Sequence, residues 1–258
     1  MDILTSKTDG ILTIEFNRPE RKNAITGAMY QTMADALVDA EQDAAVRAIL
    51  IIGKPEIFTA GNDLEDFLKN APAGGQPDLS RPVYQFMRAL SGSTRPVVAA
   101  VAGAAIGIGT TMLMHCDLVY AADNAKFSMP FVQLGLCPEF ASSALFPALA
   151  GYPRAAEKLL LGEAFMAQEA QQMGMVSKVL PLDELIPFAA RQAAKLVALP
   201  AASIRATKAL MKQPRGAQIE AALVAEVELF SAMLQAPEAK EAFTAFFDKR
   251  KPDFSKFA

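Results

Sequence analysis

Three features of the sequence predict an α/β fold. Apolar or alternating runs at Leu12 to Phe16, Ala48 to Ile52, Val97 to Val101, Leu118 to Ala121 and Val176 to Leu180 have the length and composition of strands. Helical patterns lie between them, so strand and helix alternate. After Leu199 the strand signals stop and only helical periodicity remains. The division expected is a core over residues 1–198 and a helical region over 199–258, with no internal repeat and no linker between independent domains.

Taken in order, Ile25, Met29, Met33 and Leu37 mark the apolar stripe of a first helix. The stretch from Ala71 to Arg81 is rich in Pro and Gly and reads as a mobile surface loop. Val97 to Met114 carries no charge over 18 residues, the length at which a membrane helix must be considered. Pro96 at its start, Gly103, Gly107 and Gly109 within it, and Val97, Val98 and Val101 favour a buried strand followed by a turn instead. Ala155 to Leu161 is helical, with Glu157 and Lys158 expected on the wet side. Ile219, Leu223, Val227, Phe230 and Leu234 then mark a long amphipathic helix, a candidate for packing against a neighbouring subunit.

The composition, 52% hydrophobic and 21% charged over 258 residues, is that of a chain that folds. A net charge of -3 without a dense Lys/Arg run argues against nucleic acid as a partner. Cys116 and Cys137 are the only cysteines and belong to no metal-binding or redox spacing, so both are expected as reduced thiols. The N-terminus lacks the charged and apolar regions of a signal peptide, which makes the cytoplasm the expected compartment.

Two segments point to chemistry, FTAGNDL from Phe58 and GAAIGIGTT from Gly103. Each puts glycine between a buried strand and a helix, where backbone N–H groups are free to face an anion. Either loop alone is better read as a tight turn with close helix packing. As a pair they can aim one N–H each at a single oxygen, the requirement of an oxyanion site. Neither is a dinucleotide fingerprint or a Walker loop.

NRPERKNAIT from Asn17, FTAGNDL, AVAGAAIGIG from Ala100, CDLVYAADNAKFSMP from Cys116 and FDKRKPDF from Phe247 together resemble the successive motifs of the crotonase, or enoyl-CoA hydratase/isomerase, superfamily, nearly end to end. The resemblance implies a crotonase-like spiral of ββα turns with a C-terminal helical trimerisation region, a homotrimer or dimer of trimers, and a coenzyme A thioester as substrate. It places the oxyanion hole at the amides of Asn62 and Ile108, and pantetheine and adenine binding at Lys22, Asn23 and Ala24. Ala60, Gly61, Asp63 and Leu64 beside the first amide, Gly107 and Phe131 beside the second, and Lys249 toward the phosphates complete the implied substrate contacts. Asp63 and Asp66 are also well placed as helix caps, and the Lys249 to Lys251 cluster equally suits a solvated face.

Hydratases that the sequence resembles use two glutamates, whose positions here hold Thr111 and Phe131. Neither side chain titrates near neutral pH, so hydration by that machinery is not expected. A carboxylate comes slightly later, in LGLCPEFASS, where Pro138 looks like a helix start and Glu139 its first turn. An acid there satisfies the helix dipole, but Leu136, Cys137, Phe140 and Leu145 would also desolvate it and raise its pKa toward that of a general base. The segment resembles that of Δ3,Δ2-enoyl-CoA isomerases, which implies Glu139 as the single catalytic acid, with Phe140 in place of a glycine.

The activity so implied is conversion of a 3-enoyl-CoA to a 2-trans-enoyl-CoA, with no metal and no cofactor. A hydratase or other acyl-CoA lyase, and a CoA-binding protein without turnover, stand as alternatives. His115, the only histidine, is expected as a packed core residue without a role. Met112, Met114, Met129 and Phe131 are either acyl-tunnel or plain core residues.

Overall fold

A computed structural model describes residues 1–69 and 78–257. Its strands are β1 (Ile3–Thr8), β2 (Ile11–Phe16), β3 (Ala48–Ile52), β4 (Ile57–Thr59), β5 (Val97–Val101), β6 (Ala104–Ile106), β7 (Leu118–Ala122), β8 (Lys126–Ser128), β9 (Phe165–Met166) and β10 (Lys178–Leu180). They form two sheets, a six-stranded one in the order β1-β2-β3-β5-β7-β10 and a four-stranded one in the order β4-β6-β8-β9. In the large sheet only β1 and β2 are antiparallel; in the small one only β8 and β9 are.

The chain visits the two sheets alternately. From β3 it passes to β4 and then to α2 (Leu64–Lys69) and α3 (Pro82–Gly92). From β5 it passes to β6 and α4 (Ile108–Thr111), and from β7 to β8, α5 (Ser142–Ala150) and α6 (Tyr152–Leu161). Each circuit is one ββα turn, and the stacked circuits make the expected spiral. Parallel strands buried on both faces need continuous apolar sequence, and β5, VVAAV, is buried throughout.

One face of the large sheet packs on α1 (Gly27–Gln42) and α3 through Ile49, Ile51, Val97 and Val101. The other is covered by α8 (Leu182–Ala198), which follows α7 (Ala167–Gln172) and β10 and sets Leu185, Ala189 and Ala193 against Leu50, Val98 and Ala100. The rest is helical: α9 (Ala201–Lys212), α10 (Gly216–Met233) and α11 (Pro237–Phe247).

The uncharged stretch from Val97 divides among β5, β6, α4 and a 3-10 turn, and no helix among the described residues is long and apolar enough to cross a membrane. Two expectations need correction. Lys158 is buried rather than wet, because its ammonium reaches Glu157 at 3.0 Å and Glu169 at 2.8 Å. Glu139 is not in the first turn of a helix: α5 starts only at Ser142, after Phe140 and Ala141 take φ of +58° and +57°. Left-handed residues cannot continue a right-handed helix, so Pro138 starts none. The proposed loop from Ala71 lies, over residues 71–77, outside the described residues, while residues 78–81 lead into α3.

Candidate active site

β4 and β6 are parallel neighbours, Ile57 opposite Ala104 and Thr59 opposite Ala105, so the loops that follow them emerge side by side. Gly61 has φ +84°, and a Cβ there would sit 2.7 Å from the Ile106 carbonyl oxygen and 3.9 Å from the Cα of Gly107. Only glycine permits this approach. Gly107 itself has φ +56° and ψ -122°, and its N–H donates to the Ser128 carbonyl at 2.8 Å.

The residues around Asn62 are held from both sides. Ile25 N–H donates to Gly61 O at 2.8 Å, Asp63 N–H donates to Ile25 O at 2.9 Å, and Gly61 N–H donates to the Thr59 hydroxyl at 3.1 Å. The Asn62 amide between them, and that of Ile108 across the gap, have no acceptor among the described residues. Tyr30 donates its hydroxyl to Asn62 Oδ1 at 2.6 Å and so fixes the side chain as well.

Asn62 and Ile108 both line a cleft of about 730 Å³. Its wall holds Lys22, Ala24, Ala60, Gly61, Asp63, Leu64, Gly107 and Phe131, together with Phe230 from α10 and Phe243, Phe246 and Phe247 from α11. Asn23 and Lys249 are outside it. Asn23 is fully buried with φ +52°, its amide donating to the carbonyls of Ile57 (3.1 Å) and Phe58 (3.0 Å) while Oδ1 accepts from Arg18 N–H at 2.7 Å. It fastens the Lys22 loop to β4. Lys249 lies on the exposed turn after α11.

Asp63 combines its place in the wall with capping: Oδ1 accepts from Asp66 N–H at 3.2 Å and Oδ2 from Arg18 at 2.8 Å. Its carboxyl titrates below the ordinary range because those bonds outweigh its burial. Asp66 caps a different helix, accepting from Gly27 N–H at 2.8 Å at the start of α1.

Glu139 is 7% exposed and is not among the residues that line the cleft, which its loop reaches at Leu136. Oε1 accepts a hydrogen bond from the Thr111 hydroxyl, while Oε2 is buried without a partner among the described residues. Burial pushes the Glu139 pKa up to about 8, the Thr111 bond pulls against this, and the charge of Glu226 adds to the rise. Thr111 lies three residues after Ile108 on α4, so one short helix carries both an amide of the hole and the donor that orients the carboxylate. Phe131, at the other position where a hydratase glutamate was sought, is a nearly buried wall residue.

His115 stacks on Phe140 with centroids 3.9 Å apart, and its Nε2 lies 2.8 Å from the Phe140 carbonyl. A carbonyl only accepts, so Nε2 carries the hydrogen. Burial pushes the His115 pKa down to about 4, leaving it neutral. Both cysteines are free thiols whose pKa burial raises to about 12 and about 11. Met112 and Met129 are fully buried core. Among the described residues no three of His, Cys, Asp and Glu cluster to hold a metal ion.

Two contributors escaped the sequence reading. Tyr30 sat unremarked on the Met29 and Met33 face of α1, and Glu226 occupies the apolar face of α10, three residues after Leu223 and four before Phe230. An acid in register with an apolar stripe was the available signal.

The enoyl-CoA hydratase/isomerase family model matches residues 6–256. The 2,3-dehydroadipyl-CoA hydratase of Escherichia coli K12 is 31% identical over 98% of each chain. Enoyl-CoA delta isomerase 2 of Rattus norvegicus is 34% identical over 97% of this chain and 64% of its own length. A crystal structure of an enoyl-CoA hydratase/isomerase from Pseudoalteromonas atlantica T6c, 36% identical, matches with a TM-score of 0.92 over 99% of this chain and 100% of that one. A spiral of ββα turns, two abutting glycine loops with free amides, and a sequence match over nearly the whole chain agree: this protein belongs to the enoyl-CoA hydratase/isomerase family, the crotonase superfamily.

Proposed function

We propose that the protein is an isomerase that moves the double bond of a 3-enoyl-CoA to the 2-trans position, with Glu139 as the proton shuttle. The observation that carries this reading is the lone Glu139 carboxylate, buried, raised in pKa and with Oε2 free, tied through Thr111 to the helix of the Ile108 amide. The backbone N–H groups of Asn62 and Ile108 donate to the thioester carbonyl oxygen and lower the cost of charge that develops on it. Oε2 takes a proton from C2, the electron pair spreads through the dienolate to C4, and the same carboxylic acid returns the proton there. One proton leaves and one arrives, so the chemistry calls for neither a metal nor a redox cofactor.

Hydration, by contrast, needs a second group to deliver or activate water, and Thr111 and Phe131 stand where such groups were sought. The rat relative's name is that of an isomerase, whereas the Escherichia coli relative's is that of a hydratase. On this reading Lys22 and Ala24 receive the coenzyme A moiety along the cleft. The helical region over 199–258 packs the chain into a homotrimer or dimer of trimers, in the cytoplasm.

The test is a spectroscopic assay with 3-hexenoyl-CoA and 2-hexenoyl-CoA beside Glu139→Gln. Conversion of the 3-enoyl substrate, abolished in the variant, with little water addition to the 2-enoyl one, is expected. Hydration that survives the substitution would overturn the proposal.

A further inference from the structure

We infer that Glu226, on α10, is a positioning residue for Glu139: its carboxylate closes the left-handed turn that carries the base. This rests on the isomerase reading and adds a group remote from the substrate to it. Glu226 is 6% exposed and lies 85 residues from the turn it serves. Oε2 accepts from Ala141 N–H at 2.6 Å, and Oε1 accepts from Ser143 N–H at 2.9 Å and from the Ser143 hydroxyl at 2.5 Å. The Cys137 thiol donates to the Glu226 backbone carbonyl at 3.8 Å.

These bonds bracket Glu139. Cys137 lies two residues before it and Ala141 two after, and Ser142 N–H donates to the Glu139 carbonyl at 3.1 Å. Phe140 and Ala141 both hold φ near +57°, a conformation that non-glycine residues leave unless their surroundings enforce it. Three donors converging on one buried carboxylate supply that enforcement, and the amide of Ala141 would otherwise be an orphan. Ionised, Glu226 also sets a negative charge behind Glu139.

The other titratable and charged groups facing the base leave Glu226 a distinct part. Tyr30 from α1, Tyr84 from α3 and Cys137 from the same loop are held protonated by burial, and His115 is neutral. Arg81, at the foot of α3, acts on Tyr30 and Tyr84. Burial is the main cause of the rise at Glu139, and Glu226 is the charged group that adds to it.

The experiment compares wild type, Glu226→Gln and Glu139→Gln in the 3-hexenoyl-CoA assay from pH 6 to 10. Glu226→Gln is expected to lower kcat about tenfold or more while KM moves less than about threefold, because a loosened base misses its geometry. It is also expected to move the midpoint of the kcat/KM profile to lower pH, since a negative charge near Glu139 is gone; a purely structural loss would not move it. A midpoint and kcat equal to wild type, with Glu139→Gln inactive, overturns the role of Glu226 and leaves the base assignment standing. Full activity of Glu139→Gln removes the base assignment and this inference with it. Should Glu226→Gln not fold, Ser143→Ala removes one of the three donors, and an unchanged kcat in that variant overturns the inference.

Discussion

The Thr111 hydroxyl donates to Oε1 of Glu139, so one oxygen of the carboxylate is fixed while the other is buried with no partner among the described residues. Threonine here replaces an acid expected in hydratases, and the replacement converts a second titrating group into an orienting one. Thr111→Val keeps the shape and removes the donor. The variant is expected to lose about tenfold or more in kcat through lost orientation, and its kcat/KM midpoint is expected to rise above that of wild type, because a hydrogen bond to the charged form favours it. A pH profile with hexenoyl substrate checks both.

In the wild type, the base must be ionised to act. With the Glu139 pKa near 8, kcat/KM is expected to climb about tenfold per pH unit below that value and level off above it. A profile flat from pH 6 to 9 would contradict the assignment.

The same shift makes stability depend on pH. The folded-state pKa of Glu139, about 8, lies above the unfolded carboxylate value of 4.5, so the folded protein holds the extra proton. Stability from this group is therefore fully present below about pH 4.5 and is lost as pH rises toward 8. His115 runs the other way, its contribution growing from about pH 4 to 6.5 and constant above that; Glu226, whose carboxyl burial also raises, shares the direction of Glu139, and comparison with Glu139→Gln separates the two. Glu139→Gln is expected to be the more stable protein above pH 8, by roughly 2 to 4 kcal/mol, and to lose that advantage on acidification. Thermal melts of the two proteins at pH 6, 7.5 and 9 test it.

Phe140 carries a left-handed backbone and a fully buried ring. Removing the ring leaves a cavity beside His115 and Phe86, at a cost of about 3 to 5 kcal/mol. Phe140→Gly is nevertheless expected to be more stable than Phe140→Ala, by roughly 1 kcal/mol, because glycine accepts the positive φ that alanine resists. Equilibrium urea unfolding of the pair measures the difference; alanine as the more stable variant would mean the turn relaxes when the ring goes.

Gly61→Ala places a methyl group 2.7 Å from the Ile106 carbonyl oxygen, at a φ of +84°. The two glycine loops must part, moving the Asn62 amide away from that of Ile108. Turnover is expected to fall about 100-fold or more, the scale of losing one oxyanion donor. Unchanged turnover in a folded variant would argue that the Asn62 amide is not used.

Much of this was legible in sequence where a physical period was long enough to see. β3 and β5 have the bounds expected, since VVAAV is buried throughout and AILII at all but its last residue. The small sheet was invisible, because β4, β6, β8 and β9 are two or three residues each, too short for alternation to register. β1 was missed because five of its six positions are exposed. The glycine loops were found because backbone geometry dictates residue type there. The brace from Glu226 was not, because an acid on the apolar stripe of α10 marks burial without naming a partner 85 residues away, and the start of α5 was misplaced because the left-handed turn at Phe140 and Ala141 contains no glycine to announce it.

The two loops that carry the free amides leave neighbouring parallel strands of one sheet, so their placement is inherited from hydrogen-bonded β-structure, whose strand spacing is about 4.8 Å whatever the side chains. On the proposed function the anion receptor is thus a lattice constant of the fold. Substitutions around it, such as Thr111 and Phe131 where acids were sought, can exchange one proton-transfer outcome for another without rebuilding it. The scaffold separates what every thioester reaction shares from what distinguishes them, and evolution is free to vary the second alone.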